Sequence, residues 1–216
     1  MHEGVFEGEK ARDQKVKVLI LGESHYWGED KKEEDKLTSK VVENYLEQYN
    51  STIRSERDRS YRFFDYIVRT FGVDPELYRE RFWNNVYFGN YIDEPCGVRD
   101  SRASKLLKIA GKREELNRQL YKFIKENKID VVFCFSRRAY SALPQLEKQD
   151  SENEVDGADA HRLEKCIYYS GSREGVNIAL DKPVTFYGLR HTSQGFSYRK
   201  YQERIADIIQ AYGLSF

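Results

Sequence analysis

The sequence predicts an α/β fold of three layers (α/β/α), with a central, mostly parallel four-stranded sheet. Three observations predict it. Four short, nearly continuous apolar runs lie far apart in the chain, as strands buried on both faces do. The stretches between them place apolar residues at helical spacing. The resulting order is strand, helices, strand, helices, strand, helix and insertion, strand, helix, which is the alternation that builds a covered parallel sheet.

The first strand is expected at 16–21 (VKVLIL), closed by Gly22, and the second at 85–92 (NVYFGNYI). The third is expected at 131–135 (VVFCF), after a polar turn, and the fourth at 183–188 (PVTFYG). Leu37, Val41, Leu46 and Tyr49 suggest one amphipathic helix, and Phe64, Ile67, Val68 and Phe71 another. Asp74-Pro75 is an N-cap followed by proline at the first helical position, opening a helix toward Trp83. Leu116, Leu120, Phe123 and Ile124 form a stripe before the third strand. Tyr201, Ile205, Ile208, Ile209 and Tyr212 form the last helix, which stops at Gly213. Trp83 and the Tyr168-Tyr169 pair are expected as core or hairpin cover. Two stretches break the pattern. Residues 28–36 (GEDKKEEDK) are a charged loop, and an insertion occupies about 147–180. Its first part, 147–165, holds seven acidic residues against three basic ones, and its second part, 166–180, suggests a small hairpin.

The chain has 216 residues, which suits one domain over 1–216. Lys+Arg and Asp+Glu both number 36, a net charge of zero, so any phosphate-binding surface must come from local segregation of charge. Mean hydropathy is −0.78 and no long apolar run occurs, which excludes a transmembrane helix. The polar first fifteen residues and three scattered cysteines, Cys96, Cys134 and Cys166, predict a reducing, cytoplasmic setting. A metal site of His25, His191 and Cys96 has the right ligand types, but no spacing supports it.

Ligands of open α/β sheets bind at the carboxyl ends of the strands. There the chain carries Gly22-Glu23-Ser24-His25-Tyr26-Trp27, then Asn90-Tyr91, then Ser136-Arg137-Arg138, then the run from Arg190 through His191-Thr192-Ser193-Gln194-Gly195-Phe196 to Ser197. Titratable, amide and aromatic groups thus gather on one edge.

These loops resemble those of the uracil-DNA glycosylase superfamily. In that superfamily a first strand ends in a Gly-Gln-Asp-Pro-Tyr motif or a variant, a second ends in Asn, and a late strand ends in a His-Pro-Ser loop. The counterparts are Gly22-Glu23-Ser24-His25-Tyr26, Asn90, and His191-Thr192-Ser193. The resemblance covers most of 16–212 apart from the charged loop and the insertion. It implies a uracil-DNA glycosylase-like fold and a DNA-repair hydrolase that cleaves the N-glycosidic bond of a damaged or deaminated base.

Roles then follow by position. Asn90 reads the base edge, Tyr26 walls the pocket with Gly22 and His25, and His191 stabilises charge on the departing base. Glu23 or Ser24 orients water. Ser193, Ser197, Arg137, Arg138 and Arg190 meet the nucleic-acid backbone, together with Arg199 and Lys200, and Gln194 or Phe196 is the wedge for the flipped nucleotide. The implied partner is DNA, single strands included, or a nucleobase or nucleotide ligand. A monomer is expected, with no membrane, metal or organic cofactor. The chain departs from the pattern at Ser24, which stands where the family has its water-activating Asp, and at His25 and Thr192, which replace prolines. No base-stacking Phe follows the first motif directly. A catalytically inactive nucleobase- or nucleic-acid-binding protein on the same fold is therefore the alternative. A hydrolase with Ser24 as nucleophile and His191 as base is a third reading, although the second glycine of a nucleophile elbow is missing.

Overall fold

A computed structural model describes residues 4–24, 26–27, 37–51, 61–93, 96–97, 105–144, 155–156, 162–168, 171–173, 176–178, 180–192 and 195–216. In chain order the strands are β1 (Phe6–Glu7), β2 (Val18–Gly22), β3 (Tyr26–Trp27), β4 (Tyr87–Asn90), β5 (Cys96–Gly97), β6 (Val131–Cys134), β7 (Val155–Asp156), β8 (Leu163–Tyr168), β9 (Gly171–Arg173), β10 (Val176–Ile178) and β11 (Val184–Gly188). The helices are α1 (Thr38–Ser51), α2 (Arg62–Thr70), α3 (Pro75–Asn84), α4 (Lys112–Asn127), α5 (Arg137–Ala142) and α6 (Arg199–Tyr212). The fold is mixed α/β.

Among the described residues the main sheet has seven strands in the order β1-β4-β2-β6-β11-β8-β7. Its four central strands are mutually parallel: β2 pairs with β4 on one side and β6 on the other, and β6 pairs with β11. The four-stranded sheet expected from the sequence is too narrow. β1 joins β4 antiparallel with Phe6 opposite Phe88, β8 joins β11 antiparallel, and β7 joins β8. A two-residue strand such as β1 has too few positions for its periodicity to register. The expected hairpin at 166–180 is divided: β8 belongs to the main sheet, and only β9 and β10 form a hairpin. Residues 28–36 lie outside the described residues, as does most of 147–161.

Alternation along the strands sorts the core onto two faces. Leu19, Leu21, Val132, Cys134 and Phe186 pack with Leu116, Leu120, Phe123 and Ile124 of α4. Val18, Ile20, Val131, Phe133 and Tyr187 pack with Val42 and Tyr45 of α1, Phe64, Ile67 and Val68 of α2, Phe82 and Trp83 of α3, and Tyr201 and Ile205 of α6. Helices therefore cover both faces. The buried face of α1 runs through Thr38, Val42 and Tyr45, whereas Leu37 precedes the helix and is exposed. Val41 and Leu46 of the expected stripe pack partly buried against the same core, and Leu37 falls outside it. Two terminal signals act as their chemistry dictates. The Asp74 side chain accepts from the Glu76 backbone N–H at the start of α3, and Gly213 ends α6 with φ of +62°, a left-handed conformation that costs glycine little.

The parallel strands run β4-β2-β6-β11, so the chain first steps to one side of β2 and then returns to the other. The crevice between the carboxyl ends of β2 and β6 is the resulting topological switch point.

Candidate active site

Gly22 ends β2 directly opposite Asn90, the last residue of β4. A Cβ at Gly22 would lie 2.3 Å from Asn90 Oδ1, so the close approach of amide and strand requires glycine. Asn90 is buried, and its Nδ2 donates to Thr38 Oγ1 at 3.3 Å, at the first turn of α1. The amide of Asn90 is therefore held from two sides.

Glu23 follows, with only 6% of its surface exposed. Its carbonyl accepts from the Ile92 N–H at 2.9 Å, which anchors the main chain. The carboxylate reaches across the switch crevice to the end of β6. There Oε2 accepts from Ser136 Oγ at 2.6 Å, and Oε1 meets Arg138 Nη1 at 2.7 Å. Ser136 in turn caps α5, its Oγ accepting from the Ala139 N–H at 3.2 Å. One serine thus fixes both the carboxylate and the helix that carries Arg138.

His191 lies beyond the end of β11. Burial lowers its pKa from the usual 6.5; the Glu23 charge opposes this shift and the Arg138 charge adds to it. The imidazole thus senses both members of the ion pair and favours its neutral form near pH 7. The ring of Phe63, on α2, lies 5.4 Å from it at an interplanar angle of 40°. Ser24 Oγ and Thr192 Oγ1, in the same two loops, are buried with no hydrogen-bond partner among the described residues. Buried hydroxyls are normally satisfied, so two orphans beside a carboxylate and an imidazole mark a place where a ligand or water belongs.

The structure gathers Gly22, Glu23, Ser24, Asn90, Arg138 and His191 on the carboxyl edge of the parallel strands. Tyr26 lies in β3, which pairs parallel with β5, Tyr26 opposite Cys96. His25, Ser193 and Gln194 lie outside the described residues. Arg138, expected on a phosphate, is paired with Glu23. Arg137 turns to the insertion instead, its Nη2 donating to the Arg162 carbonyl at 3.4 Å. The Arg190 guanidinium lies beside Gly195, and its backbone N–H donates to the Tyr201 hydroxyl at 3.1 Å. Ser197 is half-buried, while Arg199 and Lys200 are exposed at the start of α6. Phe196, one of the two expected wedges, stacks on Tyr201 at 5.5 Å and packs partly buried against the core.

Three residues without an expected role join the site: Thr38, Ser136 and Phe63. The sequence carried a faint signal for each. Thr38 opens an amphipathic run, Ser136 closes an apolar strand in helix-capping position, and Phe63 sits beside Phe64, where only one of two adjacent helical rings can face the core. Among the described residues no three His, Cys, Asp or Glu side chains gather to hold a metal ion. No helix among them is long and apolar enough to cross a membrane. No family model matches the chain, and no curated protein is significantly similar to it.

Proposed function

We propose that the protein is a uracil-DNA glycosylase-like hydrolase that cleaves the N-glycosidic bond of a damaged or deaminated base. The observation that carries this reading is the convergence of Asn90, Glu23 and His191 on one edge, beside two orphaned hydroxyls. The four central strands in the order β4-β2-β6-β11 are consistent with the fold that the motifs imply.

The chemistry follows from what each group offers. An extruded base presents a polar edge, and the Asn90 amide supplies both a donor and an acceptor in a fixed orientation. Phe63, beside His191, offers a flat apolar face for the ring and takes the place of the base-stacking Phe missing after the first motif. As the glycosidic bond breaks, its electron pair leaves with the base and negative charge grows on a ring oxygen. A neutral His191 donates an N–H to that oxygen, and a preorganised donor of this kind is among the larger catalytic contributions. The sugar left behind is an oxocarbenium-like cation, which the Glu23 carboxylate stabilises electrostatically. The Glu23 carboxylate, oriented by Ser136 and Arg138, is the group that orients the attacking water.

The test is single-turnover base release from oligonucleotides carrying uracil, hypoxanthine or related lesions. His191→Ala should reduce release by roughly 10²–10³-fold, the usual loss for one such donor. Wild-type turnover in that variant rejects the role. A second reading, a catalytically inactive nucleobase- or nucleic-acid-binding protein, is favoured by the pairing of Glu23 with Arg138 and by Ser24 at the family's Asp position. Saturable binding of these oligonucleotides without any base release decides for it.

A further inference from the structure

We infer that Arg138 is an anion-operated latch, holding Glu23 in the free protein and releasing one carboxylate oxygen when a substrate phosphate takes its guanidinium. The inference rests on the hydrolase reading above and adds to it a coupling between backbone binding and the water-facing carboxylate.

The two partners of the ion pair differ in freedom. The Glu23 side chain is 6% exposed and that of Arg138 is 45% exposed. Glu23 cannot follow its partner outward, because its own carbonyl is bonded to the Ile92 N–H and its Oε2 to Ser136. Arg138 rises from the first turn of α5 on a long flexible stem, at the strand edge where a nucleic-acid backbone would run. Because the carboxylate is buried, the half-exposed guanidinium leaves it only for a contact strong enough to offset the loss of a counter-ion. A phosphate offers it two parallel hydrogen bonds instead, the geometry that guanidinium fits best. Arg137, on the same helix, turns away from Glu23 and donates from Nη2 to the Arg162 carbonyl at 3.4 Å. When Arg138 leaves, the buried Glu23 Oε1, whose charge acts on His191, takes its hydrogen bond from the attacking water. Ser136 keeps the carboxylate in place throughout.

His191 reports the exchange without any turnover, since the charged groups that act on it are Glu23, from the loop after β2, and Arg138, from α5; Phe63 of α2 faces it with an uncharged ring. Its titration is followed by NMR in the full chain, alone and saturated with a single-stranded oligonucleotide bearing an abasic sugar, saturation being set for each variant by fluorescence anisotropy. In the wild type the oligonucleotide should shift the His191 midpoint upward. In Arg138→Gln the midpoint of the free protein should already be raised and move less on binding, while Arg138→Lys, which keeps the charge but cannot make two parallel bonds to one phosphate, should give a smaller shift than the wild type. A wild-type midpoint unmoved at saturation, an equal movement in Arg138→Gln, or no binding of the oligonucleotide overturns the latch. Base release without the midpoint shift removes the latch and leaves the hydrolase; the shift without base release from any substrate does the reverse. With an active protein, Arg138→Gln should also lower the preference for oligonucleotide over free nucleoside by about tenfold, because remote phosphate binding no longer assists the reacting centre.

Discussion

Replacing Gly22 by alanine tests whether the approach of Asn90 to the first strand is structural design or coincidence. The new Cβ would lie 2.3 Å from Asn90 Oδ1 and 3.4 Å from Phe88 Cζ, so the amide must give way by about an ångström while the ring stays in ordinary contact. Gly22 and Asn90 are opposite one another in the parallel ladder, and the backbone cannot separate without loosening β2 from β4. The amide therefore swings, and the bond from Nδ2 to Thr38 Oγ1 is lost, a neutral hydrogen bond worth about 0.5–1.5 kcal/mol net. With the residual crowding the cost should be about 2 kcal/mol, toward the middle of the range for added core methyls. In a chain of this size that is a fall in Tm of roughly 4–8 °C. The assay is a double-mutant cycle by urea denaturation: Gly22→Ala, Asn90→Ala and the pair. Once Asn90 is truncated the new methyl meets no amide, so Gly22→Ala should cost little in the Asn90→Ala background, with a coupling of about 1–2 kcal/mol. Additive costs would refute the argument, because they would mean that the glycine serves the backbone alone and does not make room for the amide.

Ser136→Ala removes a partner of a buried carboxylate and a helix cap together, and should lower stability by about 2–3 kcal/mol in urea titrations, well above the loss for a cap alone. The lowered pKa of His191 has a signed consequence for stability. Between its folded and its ordinary value the unfolded chain binds more protons, so stability should fall as pH drops below about 6.5 and flatten once the folded-state value is passed. Urea midpoints measured from pH 7.5 to 5 should show this segment in the wild type and not in His191→Gln; parallel curves count against the burial argument. Asp74→Ala should cost about 1 kcal/mol by thermal melting through loss of the α3 cap, and equal melting of Asp74→Ala and the wild type would mean that the cap contributes nothing.

Much of this architecture is carried by local pattern. The runs VLIL, VVFC and VTFY are buried on both faces, as strands covered from both sides are, so the central strands and their carboxyl-end residues were legible without coordinates. The caps at Asp74 and Gly213 were legible for the same reason, since a capping residue acts on backbone groups two or three positions away. β8 was not. Its alternation is imperfect, and its identity as a sheet strand depends on β11 lying free to pair with it, which no nearby residue dictates. Phe196 has a ring suited either to a wedge or to the core, and its stacking on Tyr201 depends on how α6 packs, which no nearby residue dictates.

The chain's own order of residues determined which groups stand at the strand ends: Gly22 and Glu23, Asn90, Ser136 with Arg138, and His191. The tertiary structure alone decided that Glu23 would bind Ser136 and Arg138, 113 and 115 positions away, and that Phe63 would reach His191. The physical reason is range. Periodicity and capping are settled within a turn or two of the backbone, whereas the partner of a buried carboxylate is chosen by which strand lies next to its own, and that choice is made by the packing of the whole sheet.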